Sequence, residues 1–280
     1  MIMNGKELAN EIKLELIEKV KTLKEKPGLV VIQVGEDPAS KVYVNSKSKL
    51  ANEIGYYFEH LKYNSDVTEE ELIKKIEELN NNSRIHGIIV QLPIPNHLDA
   101  MKIINRISAV KDVDGLTINN AGSLVSMNSG LISCTPKGIM TILEKYKIDL
   151  EGKHVVIVGR SNLVGKPLIS LCLAKNATVT ICHSKTNNLS EYTKSADILI
   201  VAVGKKHLIT GDMIKENAIV IDVGINRIDN KLYGDVDFES AKTKAKFITP
   251  VPGGVGPMTT ISLMENVLIS YNRIKADKLL

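Results

Sequence analysis

The sequence predicts an α/β protein of two lobes, the C-terminal one a Rossmann-type domain with a parallel sheet, and three observations carry that prediction. Its 280 residues contain no Trp and only 4% aromatics, against 44% hydrophobic residues in all. The cores must therefore be built from Val, Ile, Leu and Ala, which suits parallel sheets buried on both faces. Short apolar runs alternate with amphipathic helical patterns, the order expected of parallel strands joined by crossover helices. A third signal is local: the segment from His154 to Pro167 reads as apolar strand, glycine turn and helix start.

Taken in order, Leu8, Ile12, Leu16 and Val20 recur every four residues and predict a helix over 6–23. Pro27 and Gly28 stop it, and the apolar run 29–34 reads as a buried strand. A second helical pattern covers about 40–53, followed by a strand near 56–63. Thr68 and Glu71 form a capping box that opens the next helix, with Leu72, Ile76 and Leu79 on its buried side. Residues 87–92 make another apolar strand, ending in Pro93-Ile94-Pro95. In the second half Thr135 is the expected N-cap, with Pro136 at the first helical position and the helix running to about residue 147. Strands are expected at 154–158, 178–182, 197–203 and 218–223, and another at 247–250. A long helix at about 258–274 closes the chain. The divide between the lobes is expected in a loop from about 111 to 134.

Composition excludes several classes. A net charge of +4 and 24% charged residues are mild, and Lys19, Lys21, Lys24 and Lys26 are mixed with Glu as on a solvated helix face. A nucleic-acid binder would concentrate basic residues and interleave aromatics. The three cysteines, Cys134, Cys172 and Cys182, form no Cys-x-x-Cys and no even set, and no secretory pattern opens the chain. A reducing, cytoplasmic setting is expected, with no disulfide framework and no metal site. No apolar run is long enough for a membrane span.

The dinucleotide signal is Gly159-Arg160-Ser161-Asn162-Leu163-Val164-Gly165-Lys166-Pro167 after an apolar strand. Glycines let backbone approach a pyrophosphate, and free N–H groups at a helix start hold its charge. The spacing is not Gly-x-Gly-x-x-Gly, so the segment alone also fits a purely structural turn. The next strand ends in His183-Ser184-Lys185-Thr186, without the carboxylate that bonds ribose hydroxyls in NAD sites. Arg160, Ser184 and Lys185 could instead take a 2′-phosphate, which favours NADP. The third strand ends in Ala202-Val203-Gly204, again offering a small residue where a flat cofactor could lie close to the backbone.

Tyr43 and Lys47 share a helix face at i,i+4. Short-chain dehydrogenases use Tyr-x-x-x-Lys, but downstream of their glycine loop; here the pair lies more than a hundred residues upstream, and chain order speaks against that family. Taken alone, the pair also reads as an ordinary surface pair. Three more segments add weight: Gln91 at the end of an apolar strand, Asp112 and Asp114 in the inter-lobe loop, and the glycine-rich run Pro250-Val-Pro252-Gly253-Gly254-Val-Gly-Pro-Met-Thr259 before a helix.

Together these segments resemble the bifunctional methylenetetrahydrofolate dehydrogenase/methenyltetrahydrofolate cyclohydrolase family over essentially the whole chain. The matching stretches are Gly35-Glu-Asp-Pro-Ala-Ser40-x-x-Tyr43-x-x-x-Lys47, Val90-Gln91-Leu-Pro93, Lys111-Asp-Val-Asp114-Gly115, Cys134-Thr-Pro136-x-Gly138, the 159–167 turn, 183–186 and 252–259. Ser133 stands where the family commonly has Pro. The resemblance implies a folate-binding lobe (1–134, joined by the final helix 260–280), an NADP-binding domain (135–259), an active-site cleft between the lobes, and a homodimer. It implies oxidation of 5,10-methylenetetrahydrofolate with NADP⁺, then hydrolysis to 10-formyltetrahydrofolate, as used in purine biosynthesis. The residues it marks for folate are Lys47, Gln91, Asp114 and Tyr43, with Pro252, Gly253 and Gly254. Those it marks for cofactor are Gly159, Arg160, Ser161, Val164, Gly165, Pro167, His183, Ser184, Gly204 and Ile225. Ser40 is a weaker candidate beside Lys47; Lys41, Lys49 and Asp112 read as structural or solvated. A dehydrogenase with little cyclohydrolase activity, or a nucleotide-sensing protein without catalysis, remain the alternatives.

Overall fold

The computed structural model describes residues 1–229 and 231–277, grouped into two compact units. The first comprises Glu11–Cys134 and Thr260–Leu280, the second Met1–Asn10 and Thr135–Thr259. The last three residues of the expected 260–280 helix lie outside the described residues.

The first unit takes most of α1 (Gly5–Lys21), then β1 (Gly28–Val34), α2 (Pro38–Ile54), β2 (Tyr57–Tyr63), α3 (Glu69–Asn81), β3 (Gly87–Gln91), α4 (Ala100–Ile104) and α5 (Ile118–Val125). Its sheet has the order β2-β1-β3, parallel throughout. Every residue of β1 is buried, as a central strand covered on both faces requires. β1 is also where the strand order reverses, so the ends of β1 and β3 open the crevice at which parallel sheets bind ligands. The α3 capping box forms: Glu71 N donates to Thr68 Oγ1 at 3.2 Å and Thr68 N to Glu71 Oε2 at 3.0 Å. Leu72, Ile76 and Leu79 then bury fully or nearly so against Val30, Ile32 and Ile88, each worth about 1.5–3 kcal/mol. At the other end of α3, the Lys111 ammonium donates to Leu79 O, Asn80 O and Asn82 O at 2.7–3.0 Å, satisfying carbonyls the helix leaves open.

The second unit continues with α6 (Cys134–Lys145), β4 (His154–Val158), α7 (Gly165–Leu173), β5 (Thr178–Cys182), α8 (Leu189–Ser195), β6 (Ile198–Val201), β7 (Ile219–Asp222), β8 (Asn226–Ile228), β9 (Lys231–Tyr233), α9 (Phe238–Ala241), β10 (Phe247–Ile248) and the start of α10 (Val255–Asp277). The sheet order β10-β7-β6-β4-β5 is parallel in every pair. β4 lies between β5 and β6, so the glycine turn after β4 leaves the sheet at its switch point.

Three expectations need correction. The first ten residues belong with the second unit, because Met3 N donates to Ile248 O at 2.8 Å and Met1 N to Lys246 O at 2.6 Å, extending the β10 edge. Thr135 is not an N-cap: α6 begins at Cys134, Pro136 falls inside the first turn, and the Thr135 hydroxyl meets Thr259 Oγ1 at 2.9 Å. The 111–134 connection is not a plain loop, since it contains α5, capped by Thr117 Oγ1 accepting from Asn120 N at 3.3 Å. α4, α9 and the antiparallel β8–β9 hairpin were not expected either; their few residues are too short to show a period.

Candidate active site

α2 is fixed at both ends. Asp37 Oδ2 accepts from Ser40 N at 2.7 Å, Pro38 stands at the first helical position, and Gly55 closes the helix in the left-handed region. Ser40, Tyr43 and Lys47 therefore share one side of the helix. Their environments differ: Tyr43 is 48% exposed, whereas Ser40 is buried with a hydroxyl that finds no hydrogen-bond partner among the described residues. Lys47 is partly buried and reaches the end of β3, where its Nζ donates to Gln91 Oε1 at 2.6 Å. Gln91 Nε2 donates to Leu92 O at 2.7 Å, which fixes the amide with its oxygen toward the lysine.

Asp114 comes to the same place from a different part of the chain. Its turn is tied to β3 by Ile88 N donating to Lys111 O at 2.8 Å. Asp112, nearly solvent-free, accepts from Leu116 N, Thr117 N and Asn120 Nδ2 at 2.8–3.2 Å. The reading of Asp112 as structural holds, and it is not solvated. From α10, Asn266 Nδ2 donates to Val113 O and Ile132 O at 2.9 and 2.8 Å, gripping the residue before Asp114. The Cys134 thiol is placed to donate to Val113 O, 3.4 Å away, or to the Asp114 carboxylate.

The electrostatics follow from this packing. Burial lowers the Lys47 ammonium below the ordinary lysine value, with the nearby Asp114 and Cys134 pulling the other way. Burial raises the Asp114 carboxyl; Lys47 opposes the rise, Asp112 adds to it, and the Cys134 thiol opposes it. The site thus holds a lysine biased toward its neutral amine beside an amide oxygen and a carboxyl group. A lysine lowered in this way is a better proton acceptor than an ordinary one.

The cofactor candidates cluster in the second unit. Gly159 has φ +125°, and a Cβ there would lie 2.2 Å from Ala202 O; a Cβ on Gly165 would lie 2.1 Å from Gly159 O. Only glycine lets these backbones close the turn. Ser161 Oγ accepts from Val164 N at 3.1 Å, shaping the start of α7, while Arg160 and Ser161 stay exposed. Pro167 sits in the first turn of α7, where its lost N–H removes no helical bond. His183 closes a tight turn, with Lys185 N donating to its Nδ1 at 3.1 Å, and leaves Ser184 and Lys185 exposed at the end of β5. No carboxylate stands at that strand end. These features suit a dinucleotide with a 2′-phosphate. Ile225, Pro252, Gly253 and Gly254 line one concavity, together with Asp222 and Leu232. Gly204 is exposed with φ +67°.

Beyond the expected set, the structure adds Cys134, Asn266, Asp222 and Asp235. Asp222 is buried, which pushes its pKa up to about 6 against the N–H bonds of Val236, Asp235 and Gly224. Its position at the end of an apolar strand was the available signal. Cys134 stood in a matching stretch without a role, and nothing local marks Asn266 or Asp235. Among the described residues no group of three or more His, Cys, Asp or Glu could hold a metal ion, and no helix is long and apolar enough to cross a membrane.

Comparison with known proteins gives matches over both units. Residues 3–114 match the family model for the tetrahydrofolate dehydrogenase/cyclohydrolase catalytic domain, and residues 133–275 that for its NAD(P)-binding domain. The bifunctional protein FolD of Moorella thermoacetica is 52% identical over 276 residues, covering 97% of this chain and 99% of the relative. The crystal structure of the bifunctional FolD enzyme from Campylobacter jejuni superposes with a TM-score of 0.96 at 47% identity, covering 98% and 99% of the two chains. The Trypanosoma brucei enzyme, solved with NADP cofactor and inhibitor, gives 0.94 at 34% identity over 98% and 97%.

Proposed function

The chain belongs to the tetrahydrofolate dehydrogenase/cyclohydrolase family and is a bifunctional enzyme, and we propose that its hydrolytic step is carried by Lys47, held by Gln91 beside Asp114. The observation that supports this most is the 2.6 Å contact from Lys47 Nζ to Gln91 Oε1, with burial lowering the lysine.

In this reading the two steps ask different things of the protein. As hydride leaves 5,10-methylenetetrahydrofolate, the adjacent nitrogen lone pair stabilises the cation, so no side chain needs to move a proton. The protein's task there is to hold the reacting groups in place. Bound NADP⁺ supplies the hydride acceptor. Gly159, Arg160, Ser161, Val164, Gly165 and Pro167 would hold its pyrophosphate at the start of α7. Arg160, with Ser184 and the His183 turn, would take the 2′-phosphate, and Gly204 and Ile225 would border the rest of the cofactor. Pro252, Gly253 and Gly254 are the substrate contacts of the second unit.

Hydrolysis needs a base. Water attacks the methenyl carbon, and the neutral Lys47 amine takes a proton from it; that proton is available when the ring C–N bond opens to 10-formyltetrahydrofolate. Gln91 aims the amine. Asp114 accepts hydrogen bonds from the amino-pyrimidine edge of the pterin, a donor pair that suits a carboxylate. The exposed ring of Tyr43 stacks on the substrate. The groups that act on the pterin and the methenyl carbon thus lie on the first unit, and those for NADP on the second. We place the enzyme in the cytoplasm as a homodimer whose product feeds purine biosynthesis; three buried cysteines, none in a disulfide, suit a reducing compartment.

One spectrophotometric experiment tests this reading. Reduced cofactor and the methenyl intermediate are followed together, with NADP⁺ and with NAD⁺. NADP⁺ should be favoured by about tenfold or more in kcat/KM, a difference of ~1.4 kcal/mol, and the methenyl species should not build up. Equal rates with both cofactors would overturn the 2′-phosphate assignment. Stoichiometric methenyl accumulation would favour a dehydrogenase with little hydrolase activity.

A further inference from the structure

Two buried carboxylates of the second unit have no part in the chemistry just described, yet each accepts three backbone N–H groups. Asp235, at the end of the β8–β9 hairpin, is fully buried. Its Oδ2 accepts from Val203 N and Gly204 N at 2.7 and 3.0 Å, and its Oδ1 from Lys205 N and Asn226 Nδ2 at 2.8 and 2.9 Å. Three successive amides of the loop after β6 thus converge on one carboxylate, the arrangement of an anion-binding nest. Asp222, at the end of β7, does the same for the neighbouring segments. Its Oδ1 accepts from Gly224 N and Asp235 N at 2.9 Å each, and its Oδ2 from Val236 N at 3.0 Å.

The two carboxylates interlock through glycines. A Cβ on Gly224, two residues after Asp222, would sit 2.3 Å from the Asp235 carboxylate; a Cβ on Gly234, just before Asp235, would sit 1.8 Å from Asp222 Oδ2. Each acid therefore occupies space that the other's neighbouring glycine leaves open.

We propose that Asp235 and Asp222 are positioning residues for the dinucleotide, a crossed carboxylate pair that builds the 203–205 and 223–225 loops before cofactor arrives. Of the two cofactor candidates on these loops, Gly204 donates its N–H to Asp235, and Ile225 follows Gly224, whose N–H goes to Asp222. The proposal rests on the cofactor site described above and adds a chemical restriction to it. Because the amides of 203–205 are already taken by Asp235, this loop has no backbone donor left for a phosphate. Its backbone can offer only carbonyl oxygens and Cα hydrogens, so the main chain there fits a ring, a hydroxyl or a carboxamide N–H₂. The pyrophosphate is left to the 159–166 turn.

The test uses the full-length enzyme and its two activities. Asp235→Asn keeps the shape and puts an N–H₂ where an acceptor was needed. The KM for NADP⁺ should rise by roughly 10- to 100-fold, the cost of losing hydrogen bonds to a charged acceptor. Hydrolysis of supplied methenyltetrahydrofolate, which consumes no cofactor, should keep its kcat and KM. An unchanged cofactor KM, or a parallel loss of both activities, would overturn the proposal. Amide hydrogen exchange on the cofactor-free wild type gives a test that does not depend on the variant folding: residues 203–205 should be protected although the loop is exposed at Gly204 and Lys205. Rapid exchange at all three would overturn a preformed loop. If exchange is slow but the cofactor KM does not move, the pair is architectural and the positioning role is refuted, while the cofactor site itself stands on its own NADP⁺ titration.

Discussion

Replacing Gln91 by Glu puts a carboxylate where an amide oxygen now meets Lys47 Nζ at 2.6 Å. The change is nearly isosteric, and Leu92 O, which now accepts from Gln91 Nε2, would face an oxygen in place of a donor. Opposite unit charges about 4 Å apart interact by about 4 kcal/mol at an effective dielectric near 20, equivalent to ~3 pKa units at 1.36 kcal/mol each. Desolvating the new carboxylate consumes part of that, so the lysine should rise by about 1–3 units. At pH values below the point where the lysine titrates, the fraction of neutral amine falls by the same factor, and hydrolysis there slows by roughly 10- to 1000-fold. Two features distinguish this from general damage. The ascending limb of the cyclohydrolase pH profile should move to higher pH by the same number of units, so that activity returns as pH is raised. Oxidation of methylenetetrahydrofolate, which needs no proton transfer, should change by only a few fold. The assay is the pH dependence of methenyl hydrolysis, followed by absorbance, beside a fixed-pH dehydrogenase rate. An unshifted limb, or wild-type hydrolysis at neutral pH, would refute the role of a neutral Lys47.

Two further predictions concern the second unit. Gly159→Ala adds a Cβ 2.2 Å from Ala202 O at a φ of +125°; with backbone strain of about 1–3 kcal/mol, the NADP⁺ KM should rise at least several-fold while cyclohydrolase activity stays, and initial rates at varied cofactor would show it. Asp222 is raised by burial from 3.8 to about 6, so its stability contribution is full below its unfolded value and is lost as pH rises through about 6. Relative to Asp222→Asn, the wild type should therefore lose about 2 kcal/mol between pH 4 and pH 7.5; urea unfolding of both proteins at the two pH values measures the difference, and a change of opposite sign would contradict the burial argument.

Much of this was legible in the sequence where the cause is local. Thr68 and Glu71 announced their helix because a capping box is satisfied within four residues. The run before Gly159 announced β4 and its turn because a buried strand leaves an unbroken apolar stretch. Lys47 and Gln91 could be singled out, one by its spacing from Tyr43 and the other by its place at a strand end, but not paired; their 2.6 Å contact joins a helix to a strand end 44 residues away. What stayed hidden has tertiary causes. Met3 joins the second unit by pairing with Ile248, which no helical period at the N-terminus can reveal. Cys134 and Asn266 reach the Asp114 turn from remote parts of the chain. Asp235 looks like a hairpin-end acid until the three amides it gathers are seen.

The central claim is that Lys47 serves hydrolysis and not hydride transfer, and Lys47→Ala tests it most directly when both activities are measured on one preparation. The prediction is loss of methenyltetrahydrofolate hydrolysis by at least 100-fold, the scale of general acid–base catalysis at about 10²–10⁴. NADP⁺ should still bind, and methenyl product should accumulate as reduced cofactor forms. Full cyclohydrolase activity in this variant would contradict the account.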